Sequence, residues 1–345
     1  MQATCPRIFA LLLVAATTAA AATPPRPGYH LLKEIPVAGD AGWDYLTVDS
    51  VAHRLYVSHG TSLVVVDTTT DKIVGEIADT PGVHGIAIAA DLGRGFTTNG
   101  RENQSSVVDL ASLRTLQKVA TGGNPDAMLY DSATHEVYLF NGRGASATVL
   151  DARSSADVAT IPLGGKPEFA EVDPLAGLVF CNLEDTSEIV AIDAKTHVVA
   201  RRWPLAPGEA PTGLAIDTAH HRLFAGCDNQ VLVMLDYDSG KVVATVPIGH
   251  GVDACGFDPG TQLAFASCGD GTVTIAHEDA ADRLTVVQTL ATAPRARTMA
   301  VDPATHRIYL ATAVFEPAPP TAPGEKPARP KMIPGSFKVL VYGPE

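Results

Sequence analysis

The chain has 345 residues, a formal net charge of −13 and a hydrophobic share of 46% against 18% charged. That much apolar material supports a large core and excludes an intrinsically disordered chain. The acidity, with basic residues scattered singly, disfavours nucleic acid and anionic membrane surfaces as partners.

In chain order, residues 1–22 read as a secretory signal. Arg7 supplies the positive n-region, an apolar run follows, and Ala20, Ala21 and Ala22 form a small-residue cleavage site before Thr23. The apolar run is too short for a permanent membrane span, and no later segment resembles one. The expectation is a periplasmic or secreted protein with a linker at 23–29 and a folded domain at 30–343.

From residue 30 the chain repeats about every 42 residues. Each unit opens on a Gly/Pro turn. A short apolar run ends in Asp, a turn leads to an aromatic-containing run, a Val-rich run ends in a second Asp, and a β-branched run leads out. The first Asp recurs as Asp49, Asp131, Asp173, Asp217, Asp258 and Asp302, and the second as Asp67, Asp109, Asp151, Asp193 and Asp236. With glycine and proline punctuating these runs, each unit is a four-stranded antiparallel sheet. First strands fall at 45–49, 84–89, 127–131, 169–173, 213–217, 254–258 and 298–302, so the fold class is all-β and the architecture a seven-bladed β-propeller. A single sheet cannot bury both faces, so the blades must stack and close. The seventh unit has only three strands, and residues 30–37 match the missing outer one. The proline-dense segment 316–334 interrupts the seventh unit between its second and third strands and reads as an extended surface insertion.

The Asp-bounded runs and the outer strands at 158–164 and 242–249 resemble the YncE-like family of YVTN-repeat β-propellers. That resemblance covers the mature chain and implies the fold; propellers of this kind serve as binding proteins, scaffolds and enzymes.

Topology sorts the polar residues between two faces. His53, His135, His221 and His306 each follow the first Asp by four positions, in turns on the lower face, and recurrence at one repeat position marks them as turn residues. The loops entering the first strands open on the upper face. They bring Asp44, His84, Asp126, Glu168, Thr212, Asp253 and Arg297 towards the axis, with His59, Arg101, Arg143 and Glu184 following the second strands. Converging polar groups in a concavity describe a binding site for a small molecule or a protein partner. Two Asn-Gly-Arg motifs place Arg101 and Arg143 as a candidate clamp for carboxylate or phosphate; pairing between arginines and the facing acids is the other outcome. Oxygen ligands around an axis also suit Ca²⁺, with Glu168, Asn99, Asn141, Asn182 and Asp253 as candidates. That arrangement resembles, in architecture alone, the calcium-dependent lactonase propellers. It would make the protein a hydrolase of lactones or esters, with His84 or His59 activating water. His59, His84 and Asp44 are a further set able to take a transition metal. The sequence contains no GxSxG, Walker, HExxH or CxxCH motif. Of Cys181, Cys227, Cys255 and Cys268, one disulfide among the last three is expected for an oxidising compartment.

Overall fold

In the computed structural model, residues 28–317 and 330–345 are described. They form seven sheets of four antiparallel strands. The inner strands are Leu46–Asp49, Val83–Ala89, Pro125–Asp131, Pro167–Asp173, Pro211–Asp217, Val252–Asp258 and Met299–Asp302, in blades one to seven. Within each blade the chain runs outward through second, third and outer strands. The exception is blade seven, whose outer strand, His30–Pro36, comes from the beginning of the domain. It pairs antiparallel with Lys338–Gly343, Ile35 opposite Val339 and Pro36 opposite Lys338. This closure removes the exposed edge that an open array would leave. The signal segment and most of the proline-dense insertion lie outside the described residues. The insertion's flanks meet where Phe315 bridges Met332, and Arg295 covers the Phe315 ring 4.1 Å from its centroid.

The burial pattern follows from stacking. Second and third strands are buried on both faces, as in Leu223–Cys227 and Leu232–Leu235, while outer strands such as Lys72–Ile77 are mostly exposed. Where blades one and seven meet, Leu55, Val57, Val64 and Val66 pack with Tyr309, Ala311, Phe337 and Val339. Each leucine, valine or phenylalanine among them contributes about 1.5–3 kcal/mol on full burial, so ring closure is driven mainly by apolar contact. Inner strands converge on the axis and crowd. A Cβ on Gly213 would lie 2.6 Å from the Cys255 backbone nitrogen, so glycine is required for blades five and six to approach this closely.

The lower-face turns explain the recurring Asp and His. Asp131 Oδ1 accepts from Ala133 N at 2.9 Å and its Oδ2 from Thr134 Oγ1 at 2.9 Å. Asp258 and Asp302 repeat the pattern with Thr261 and Thr305. The residue four positions past the Asp then takes a left-handed conformation, with φ of 53°, 55°, 59° and 57° at His53, His135, His221 and His306. Two of these rings also tie neighbouring blades: His306 Nδ1 lies 2.6 Å from Asp258 Oδ2, and His135 Nδ1 3.2 Å from Asp91 Oδ2.

The expected disulfide is not formed. Cys181, Cys227, Cys255 and Cys268 are buried free thiols. The Cys227 and Cys268 thiols donate to the carbonyls of Ala225 and Ala266 in their own strands, which turns the sulfurs into the packing of separate blades. Burial pushes both thiols up to about 12. Among the described residues, no helix is long and apolar enough to cross a membrane.

Candidate functional site

The upper end of the channel holds a cavity of about 380 Å³. Its wall is built from the loops that enter the inner strands, which bring Asp44, Asp126, Glu168, Thr212, Asp253 and Arg297 together around the axis; Lys166, Glu184 and Asp228 complete the rim. Among the described residues, six carboxylates therefore face two permanent cations, and both cations are already engaged. The Lys166 ammonium pairs with Glu168 and Glu184, and Arg297 Nη1 lies 3.3 Å from Asp253 Oδ1.

Asp44, His84 and Asp126 form one cluster within this ring. His84 Nδ1 lies 2.6 Å from Asp44 Oδ2 and 3.3 Å from Asp126 Oδ1. The ring sits where it does because residue 100 is glycine: a Cβ there would come within 2.6 Å of His84 Nε2. Burial works against a charge on His84, but the hydrogen bond to Asp44 and the nearby carboxylates outweigh it and raise its pKa.

The acids pay for their crowding. Burial, with Asp44 adding repulsion against a partial offset from His84, pushes Asp126 up to about 7. Burial raises Glu168 to about 7 despite Lys166, and Asp253 to about 6 despite Arg297. Removal of these groups from water costs their charged forms more than the two cations return. A positive charge bound among these acids would favour their ionised forms.

Tyr45 marks the floor of the cavity, its hydroxyl donating to the Glu168 carbonyl oxygen. Beneath it the channel turns apolar, lined by Val48, Ile86, Ile88, Phe169 and Phe257. A lone carboxyl, Glu171, lies in this band, and burial raises it to about 8.

Several candidates stand elsewhere. Arg101 and Arg143 are exposed at the rim and do not line the cavity; the Arg101 stem lies over Gly82. Those two arginines therefore do not form a clamp across the funnel. The calcium set is also dispersed. Asn99 Nδ2 donates to Ser106 Oγ and its Oδ1 accepts from Thr97 Oγ1, at 2.9 and 2.8 Å. Asn141 Nδ2 donates to Ser146 and Thr148, and Asn182 Oδ1 accepts from Phe169 N. All three amides are fully buried within the strands, because at the end of a second strand an amide caps its own and adjacent strands. Glu168 and Asp253 alone of that set reach the cavity. His59 is buried and stacked on Phe337, centroids 4.7 Å apart, and burial lowers its pKa; it faces neither Asp44 nor the cavity.

Lys166, Tyr45 and Glu171 were missed by the sequence reading. Lys166 is visible in sequence as a loop residue two positions before Glu168. Tyr45 lies just before an inner strand and Glu171 within one, and the channel-facing side of each follows only from the direction of the axis.

No protein-family model matches the chain, and no curated protein sequence matches it. Among solved structures, a chain from the crystal structure of the Mitotic Checkpoint Complex is similar over 98% of both chains, with a TM-score of 0.75 and 13% identity. Hydrazine synthase of Kuenenia stuttgartiensis is similar over 70% of this chain and 97% of that one, with a TM-score of 0.51 and 17% identity. At these identities the likeness is one of fold, and the fold is a β-propeller.

Proposed function

We propose that this protein binds a small organic cation, an amine or guanidinium compound, in the acidic funnel of its upper face. The β-propeller fold fits a binding or scaffold role generally. The observation that carries the finer reading is the charge imbalance of the cavity: among the described residues, six carboxylates stand against Lys166 and Arg297, both already paired. An ammonium seated among Asp44, Asp126 and Asp253 would offset the burial, and the lesser repulsion from Asp44, that raise the pKa of Asp126 and Asp253. The cavity volume, about 380 Å³, suits a small molecule. The calcium-assisted hydrolase reading loses the amide oxygens of Asn99 and Asn182 to bonds inside the strands, and Asn141 is fully buried outside the cavity lining, so that reading is not favoured.

The test is thermal melting with putrescine, arginine, Ca²⁺ and acetate at pH 6 and pH 8. Organic cations should raise the melting temperature more at pH 8, where the acids are ionised, and the double variant D126N/D253N should abolish the rise. Stabilisation by acetate but by neither organic cation would refute the proposal.

We propose further that the chain acts outside the cytoplasm, on the strength of the signal-like residues 1–22. Mature protein from the producing cell should begin at Thr23, and a cytoplasmic product retaining Met1 would overturn this. Kinship with the YncE-like propellers belongs to the same proposal and rests on the segments at 158–164 and 242–249. Aligned relatives in which neither segment matches that family would remove it.

A further inference from the structure

The lower face carries a second convergence of ligating groups, at the opposite end of the inner strands from the funnel loops. At the seam of blades five and six, Asp217, His220 and Glu278 bring three ligand atoms within 4.8 Å of one another. His220 Nδ1 lies 2.5 Å from Asp217 Oδ2 and 3.8 Å from Glu278 Oε1. Glu278 is only 3% exposed, yet neither of its carboxylate oxygens has a hydrogen-bond partner.

The repeat shows how unusual this is. Glu278 N donates to the Gln262 carbonyl just as Tyr237 N donates to that of His221, and Ala152 N to that of His135, so these side chains occupy one repeat position. In blade five the occupant is Tyr237, whose hydroxyl donates to Asp173 of blade four at 2.7 Å. One seam further on, the acid Glu278 stands where that donor was and faces Asp217. The second departure is His220. Blades three, six and seven place a threonine there, Thr134, Thr261 and Thr305, whose hydroxyls satisfy Asp131, Asp258 and Asp302. Two substitutions at one seam thus replace hydroxyl donors with metal-ligating groups. The nearest cation is held elsewhere: Arg222 Nη1 donates to Asp236 Oδ2 at 2.6 Å and Nε to the Ala281 carbonyl at 2.7 Å.

We propose that Asp217, His220 and Glu278 form a binding site for a divalent transition ion of the zinc class. One imidazole nitrogen with two carboxylates is a donor set that zinc accepts. Asp217 contributes Oδ2, because its Oδ1 is occupied by Ala219 N at 2.9 Å. The His220 side chain is 47% exposed, so solvent can supply a fourth ligand from that side. The competing arrangement is a proton shared between the two acids; burial, reinforced by Asp217, raises Glu278 to about 7. Near neutral pH a metal ion can displace that proton.

The experiment is equilibrium dialysis of the folded full chain against zinc after EDTA treatment, with bound metal measured by elemental analysis and melting followed in parallel. Four proteins are compared: wild type, E278Q, H220T and the funnel variant D44N/D126N. H220T restores the residue that three other blades carry, which guards against loss of fold. Wild type and D44N/D126N should bind one zinc at this site and melt several degrees higher with it. E278Q and H220T should each lose that ion and the shift. A wild-type chain that takes up no zinc would overturn the site in favour of the shared proton. Zinc retained by both E278Q and H220T but lost in D44N/D126N would place the ion in the funnel and overturn it equally.

Discussion

Replacement of Asp126 by Asn tests whether the funnel is held against its own stability. An acid whose folded pKa is raised keeps its proton in the native chain over a range where the unfolded chain has lost it. Stability therefore falls as pH rises from the ordinary value of 3.8 through about 7, and levels off above. The gap between those two values, at about 1.4 kcal/mol per pH unit, sets an upper limit of about 4 kcal/mol above pH 7. At pH 5 the corresponding limit is about 2 kcal/mol, because only the lower part of the window has been crossed. D126N has no such titration. The carboxamide is nearly the same size, so packing beside His84 is preserved. Urea unfolding of wild type and D126N at pH 5 and pH 8 should therefore show the variant gaining on the wild type as pH rises. A stability difference that is equal at the two pH values, or that favours wild type at pH 8, would refute the argument that burial and repulsion at Asp126 outweigh its contact with His84.

Gly213→Ala should destabilise the ring by about 1–3 kcal/mol in chemical unfolding, because the added methyl meets the Cys255 backbone; an unchanged midpoint would mean that the inner strands of blades five and six can move apart at no cost. Tyr237→Phe leaves Asp173 without its hydroxyl donor and should cost about 1–3 kcal/mol by the same measurement. A neutral effect would show that water replaces the hydroxyl. In a chain beginning at Thr23, none of the four buried cysteines should react with a thiol reagent in the native state, and all four should react after unfolding. Fewer than four after unfolding without reductant would show that a disulfide forms.

Sequence alone determined the number of blades and the closing partner. Strand pairing leaves a local record: apolar runs of strand length, an Asp to accept the next turn's amides, and a left-handed residue four positions on. These signals recur in six of the seven units, the second carrying Ala89 in place of the Asp, so an unpaired portion at each end, residues 30–37 and the last three strands, implied the pairing seen between His30–Pro36 and Lys338–Gly343. The same logic placed Asp44, His84, Asp126, Glu168, Asp253 and Arg297 near one axis.

Tertiary structure decided which polar groups face the cavity and which are consumed inside the sheets. Asn99, Asn141 and Asn182 lie at the same repeat position as potential channel ligands, but at a strand end between packed blades their amides are fully buried and bonded within the sheets. Arg101 and Arg143 follow glycines at loop tips, where a long side chain gains solvation by turning outward. The seam at Asp217, His220 and Glu278 joins residues of different blades across 61 positions of sequence. No local pattern records that proximity, because it is produced by the packing of one blade on the next.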